Sequence, residues 1–137
     1  MSDAVFLDTN VLVYAFETRD AEKQDRALAL LSDPSLPFVI STQVLGEFYV
    51  TVTRKLPRPL SPEIAAAAVE SLSRFPVIGV DTGLVTSAMA TSRTSQLSYW
   101  DALIVEAAVL ARCDRILSED LADGATLRGV RIENPFS

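Results

Sequence analysis

The sequence predicts an α/β fold, a single domain over residues 1–137 built on a central, mainly parallel sheet of four or five strands with helices on both faces. Three observations predict it. Short apolar runs near positions 5, 39, 78, 116 and 131 end in or beside polar turns, as buried strands do. Segments of helical length and spacing separate most of them. Strands that alternate with helices require right-handed crossovers, and these give parallel strands covered on both sides. A chain of 137 residues fits one domain that buries roughly two-thirds of the surface it exposes when unfolded.

Residues 4–7 form the first strand, ended by Asp8-Thr9-Asn10. Residues 11–16 continue apolar, and Ala27, Leu28, Leu30 and Leu31 recur at helical spacing before the stop at Asp33-Pro34, so two helical pieces follow. Pro37-Phe38-Val39-Ile40 reads as a second buried strand. Ser41 or Thr42 then caps a helix to about Arg54, ended by the cluster Pro57, Pro59 and Pro62. Ser61-Pro62-Glu63 sets a cap, a first-turn proline and an early acid ahead of an Ala-rich helix to about Arg74. Residues 77–80 make a third strand, and Asp81-Thr82 offers the cap of a helix to about Thr91. Ser98-x-x-Asp101 precedes an apolar helix through Leu110. Residues 115–118 and 130–132 supply the fourth and fifth strands, with Gly124 and Gly129 punctuating the loop between them.

Composition narrows the chemistry. Hydrophobic residues at 49% and charged residues at 22% are ordinary for a globular domain, which sets aside disorder and fibrous repeats. No apolar stretch approaches the roughly 18 to 20 residues that span a bilayer, and the start MSDAVFLDTN lacks a basic region ahead of an apolar run. The expectation is a cytoplasmic protein without a membrane partner. The one cysteine, Cys113, forms no internal disulfide and lies in an apolar segment as a buried thiol. Histidine is absent, which removes Ser-His-Asp and Cys-His nucleophiles, His-rich zinc sites and paired-His cleavage of RNA in their usual forms. A net charge of −6 argues against a broadly basic surface that grips nucleic acid at many phosphates.

Carboxylates remain, and each has a structural reading beside a functional one. Asp8 suits a helix cap, and Asp101, three residues after Ser98, suits the acidic half of a capping box. Glu47 sits at the edge of the stripe Val44, Leu45, Phe48 and Val52, where its head is partly buried, although a solvated Glu is the common state. Asp120 and Asp123 suit a turn. Taken together they read differently. Three or four carboxylates within about 5 Å repel by roughly 3 kcal/mol per pair at an effective dielectric near 20. The natural compensator for an oxygen-only set is a hard divalent cation, Mg2+ or Mn2+.

Val5-Phe6-Leu7-Asp8-Thr9-Asn10-Val11-Leu12 resembles the opening motif of PIN domains, a strand ending in Asp-Thr/Ser-Asn. Later segments match in order: Thr42-Gln43-Val44-Leu45-Gly46-Glu47-Phe48, Ser98-Tyr99-Trp100-Asp101-Ala102-Leu103-Ile104 and Ile116-Leu117-Ser118-Glu119-Asp120-Leu121. Val130-Arg131-Ile132-Glu133-Asn134-Pro135-Phe136 is similar to the family's closing strand and Asn-Pro-aromatic ending, and the spacing is that of the short VapC-like toxins.

The resemblance implies a PIN-like three-layer α/β/α sandwich and a metal-dependent ribonuclease, the toxin of a type II toxin–antitoxin pair. It implies catalytic Asp8, Glu47, Asp101 and Asp120, with Asp8, Asp101 and Asp120 as metal ligands. Asp123 would be a neighbour through water or the alternative last acid, and Thr9, Asn10 and Ser118 would orient the carboxylates. Its implied partners are RNA, a cognate antitoxin protein and a second copy of the chain. Arg54, Lys55 and Arg58 form a tight basic cluster that either steers an RNA backbone or complements a helix C-terminus. Tyr99 and Trp100 either stack on a base or bury in the core, and Tyr14, Phe16, Phe48 and Tyr49 divide between core packing and antitoxin contact. A non-catalytic PIN-like RNA- or protein-binding module is the alternative. A phosphatase using Asp8 as nucleophile lacks its second Asp, because position 10 is Asn.

Overall fold

A computed structural model describes residues 4–137. The chain runs β1 (Val5–Leu7), α1 (Thr9–Phe16), α2 (Ala21–Leu31), β2 (Phe38–Ser41), α3 (Thr42–Arg54), α4 (Pro62–Leu72), β3 (Val77–Ile78), α5 (Thr82–Ser95), α6 (Tyr99–Leu110), β4 (Arg115–Leu117), β5 (Thr126–Leu127) and β6 (Val130–Glu133). The strands form one sheet in the order β3-β2-β1-β4-β6-β5, parallel except for β5.

The connections explain the layers. From β1 to β2 to β3 the chain steps one way across the sheet, so right-handed crossovers carry α1 to α4 over one face. The return from β3 to β4 steps the other way and carries α5 and α6 over the opposite face. Helix contacts follow this division: α1 packs on α2 and α3, α3 on α4, and α5 on α6. The result is the three-layer α/β/α sandwich. Its centre is β1, whose three residues are all buried because both faces are covered, and α6 is buried continuously from Ala102 to Ala108.

Local chemistry sets the boundaries. Ser41, Ser61, Asp81 and Ser98 each accept a backbone N–H of the first turn, starting α3, α4, α5 and α6 where the sequence set their caps. Helix α5 outruns its expected end by a turn and stops where Gln96 turns left-handed at φ 55°. The sheet has six strands among the described residues, one more than the upper expectation. The addition is β5, two residues folded back on β6 through Arg128 and Gly129, both at positive φ (52° and 80°), as a tight hairpin turn requires. Cys113 is buried, and burial pushes its thiol up to about 11 with help from the neighbouring Asp114 charge. Among the described residues no helix is long and apolar enough to cross a membrane.

Candidate active site

Strand order reverses around β1, since the chain leaves it towards β2 and returns beside it as β4. Open α/β sheets bind ligands at such a switch point, outside the carboxyl ends of the strands. The register pairs Leu7 with Leu117, so the next residues, Asp8 and Ser118, emerge side by side at that edge. Asp8 leaves β1 with its N–H donated to the Leu117 carbonyl and caps α1.

The two readings of Asp8, cap and site residue, therefore coincide. Its Oδ1 accepts the Thr9 N–H at 2.7 Å and its Oδ2 accepts the Ser118 hydroxyl at 2.7 Å. The Ser118 Oγ in turn accepts the N–H groups of Asp120 and Leu121, so one hydroxyl shapes the turn after β4 and anchors Asp8. Asn10 works the other side: its Oδ1 accepts the Glu119 N–H at 3.0 Å, and its Nδ2 donates to Asp120 Oδ2 at 3.1 Å. Thr9 Oγ1 donates to Glu47 Oε1 at 2.9 Å, tying α1 to α3. Asp101, in the first turn of α6, has its N–H on Ser98 Oγ, the cap expected of Ser98-x-x-Asp101.

Asp8, Glu47, Asp101 and Asp120 line one cleft together with Thr9, Asn10, Gln43 and Glu119. At about 780 Å³ it holds a small ligand or one nucleotide, so a longer substrate must run over its lips. Asp8 is only 7% exposed. Burial raises its carboxyl to about 6 against the pull of the Ser118 and Thr9 hydrogen bonds, and the charges of Asp120 and Glu47 add to the rise.

This donor set fits a hard divalent cation. It is all oxygen, and its most buried carboxylate receives only neutral hydrogen-bond donors. The fit is looser than expected. Among the described residues no three acids are grouped closely enough to enclose an ion between them. Neutral donors keep the acids apart: Asn10 holds Asp120, while Thr9 and Gln43 hold Glu47. A hard divalent cation that retains several waters and binds through one or two carboxylates suits that spacing.

Comparison with known proteins bears on this arrangement. The sequence profile described as PIN domain matches residues 5–122. The chain belongs to the PIN domain family. Among solved structures, the chain is similar to a toxin–antitoxin complex from Klebsiella pneumoniae, with TM-score 0.69 and 23% identity over 96% of this chain and 97% of that one. It is also similar to DNA-bound VapBC from Salmonella typhimurium, with TM-score 0.65 and 21% identity over 98% and 99%. A third likeness is to VapC20 of Mycobacterium tuberculosis, a toxin that cleaves the sarcin-ricin loop, with TM-score 0.65 and 21% identity over 85% and 90%. Comparison with curated protein sequences gives no match.

Not every expected residue of this PIN domain comes to the cleft. Asp123 lies instead at a second cavity beside the C-terminus, where its carboxylate accepts the Asn134 N–H at 3.0 Å and the Ser137 hydroxyl at 3.4 Å. It is not among the residues that line the cleft. Trp100 stays out of the core at 62% exposure, edge-on to Tyr99 at 4.9 Å, and forms one wall of the cleft. Phe48 is buried against Phe16, whereas Tyr14 reaches the cleft. Its hydroxyl donates to Glu119 and accepts from Lys23.

Gln43, Glu17, Arg19 and Lys23 are residues the sequence reading missed. Gln43 sits four before Glu47 on α3, a spacing that puts both on one face, and it donates to Glu47 Oε2 and to the Trp100 carbonyl. That spacing was the available signal. Arg19 and Lys23 follow α1 and enter α2 with no motif to mark them.

Proposed function

We propose that this chain is a metal-dependent ribonuclease that hydrolyses RNA phosphodiester bonds and serves as the toxin of a type II toxin–antitoxin pair. One observation carries the proposal: at the switch point of the sheet, a buried carboxylate with no cationic partner among the described residues shares a cleft with Glu47, Asp101 and Asp120. Supporting it are the family membership and the nature of the similar structures, which include a toxin–antitoxin complex and a toxin that cleaves the sarcin-ricin loop.

Asp8, Asp101 and Asp120 would hold the ion, Mg2+ or Mn2+. When bound, such an ion supplies an acidified water and stabilises charge developing on the phosphate. The chain's own groups do the rest. Ser118 and the Thr9 amide fix Asp8, and Asn10 fixes Asp120. Glu47 is exposed to the cleft and steadied by Thr9 and Gln43, a position suited to orienting the attacking water and taking its proton. In-line displacement of the 3′-oxygen leaves 5′-phosphate and 3′-hydroxyl ends. A basic antitoxin segment would find the acid-lined cleft attractive, and a second copy of the chain completes the proposed assembly.

The wider spacing of the acids favours a second reading, a PIN-like binding module without turnover. One experiment separates the two. RNA ends are sequenced after brief expression of the wild type and of Asp101→Ala. New 5′-phosphate ends confined to the wild type are expected, and equal profiles overturn the nuclease.

A further inference from the structure

The carboxylates account for the middle of the cleft but not for its cationic end. Arg19 and Lys55 line the same cleft, and Arg19 also lines a second cavity with Arg58; the two cavities share Glu17, Arg19 and Leu56 in their walls. The chain carries 18 acids against 12 bases, and among the described residues five of those bases are ion-paired. Lys55 and Arg58 are exposed and have no ion-pair partner among the described residues. Arg19 is held: its guanidinium meets the carboxylate of Glu17 at 2.7 Å, and that carboxylate is only 7% exposed. The contact is one of charge, since the same Glu17 oxygen makes no hydrogen bond of acceptable geometry. A buried acid thus fixes an exposed arginine at the junction of the two cavities.

Stabilisation of a helix C-terminus explains Arg54 in the last turn of α3 and Lys55 at its cap. It does not explain Arg58, beyond the helix among prolines, or the convergence of all three cations on one end of an acidic cleft. A polyanionic strand entering this cleft is repelled by its acids wherever no cation intervenes, and needs positive charge where its backbone leaves.

We infer that Arg19, Lys55 and Arg58 form a phosphate-binding lip that takes the backbone of single-stranded RNA beyond the nucleotide at the carboxylates. This rests on the ribonuclease reading and names the side chains that would hold the strand outside the carboxylates. Three cations suffice for a strand threading an open cleft, whereas a duplex gripped from outside needs the broad basic surface that a net charge of −6 denies.

The test measures binding apart from cleavage. A fluorescein-labelled 12-nucleotide single-stranded RNA is titrated in EDTA against full-length protein carrying Asp101→Asn, with KCl varied, and wild-type cleavage is assayed in parallel. Three phosphate contacts give a slope of log affinity on log salt of about −2, and Lys55→Gln and Arg58→Gln each flatten it by about 0.7. Arg93→Gln, an exposed cation on α5, leaves it unchanged. The corresponding duplex binds at least tenfold more weakly. No measurable binding, a slope indifferent to both lip variants, or equal competition by a glutamate dodecapeptide overturns the lip. Cleavage with an unaltered slope sinks the lip alone, and a normal slope without cleavage sinks the nuclease alone.

Discussion

Two carboxylates in this molecule are almost equally buried, Asp8 at 7% exposure and Glu106 at 4%, yet their surroundings are opposite. Glu106, on α6, accepts the Thr91 hydroxyl at 2.8 Å and a forked pair of bonds from Arg128 at 3.0 and 3.3 Å. It is neutralised where it stands and fastens α5, α6 and the β5–β6 turn together. Asp8 receives only a hydroxyl and an amide, and the charges near it are Asp120 and Glu47. Burial alone therefore does not mark an acid for function. A buried acid left without a counter-charge does, because its desolvation persists until a ligand offsets it.

The sharpest way to break this contrast is kinetic. Asp8→Asn and Asp101→Ala are expected to lower RNA cleavage by on the order of 100-fold or more, whereas Arg128→Ala leaves the rate within about threefold. Gel assays of purified variants at matched folding decide it, and a comparable loss in both places would erase the distinction.

Next comes pH. The folded Asp8 value of about 6 lies above its ordinary 3.8, so its contribution to stability is full below pH 4 and is lost as pH rises through 6. The loss amounts to roughly 3 kcal/mol in cation-free protein. Denaturant melts in EDTA at pH 5 and pH 7.5 should show about half of it, since the unfolded carboxyl is already ionised at pH 5, and Asp8→Asn should flatten the difference. Added Mg2+ should raise Tm more at the higher pH, since its ligands must be deprotonated. A larger Mg2+ effect at pH 5 would contradict the assignment.

Arg128→Ala strands Glu106 and should cost about 2 kcal/mol, less than a fully enclosed pair because Arg128 is half exposed. Arg128→Lys should recover part of that in urea unfolding. The smallest effect is expected from Ser118→Ala, about 1 kcal/mol in stability and up to tenfold in rate, through the loosened Asp8 and Asp120. A rate unchanged by Ser118→Ala would leave the hydroxyl as a structural tie only.

Much of this was legible before any coordinates. Side chains that start helices announce themselves by type and spacing, so Ser41, Ser61, Asp81 and Ser98 fell where expected. The acids at strand ends were legible because a buried strand has only one way to finish at a carboxyl edge. What escaped depended on contacts between distant segments. Asp120 and Asp123 share one acidic turn, but only the fold shows that Asp123 turns away to hold Asn134. Strand β5 is too short to carry a period, and the hairpin turn uses Arg128 at positive φ where Asn or Gly would have signalled it. Trp100 allowed two readings in sequence, stacking on a base or burial in the core, and only the start of α6, which leaves its ring in solvent, removes the second.

The bond between Asp8 and Ser118 spans 110 positions, and it joins the end of the first strand to the end of the fourth. During synthesis the amino-terminal segments leave the ribosome first, so the pocket has no far wall until β4 has emerged and docked. Whatever this cleft does, a growing polypeptide cannot do it before that fourth strand is in place.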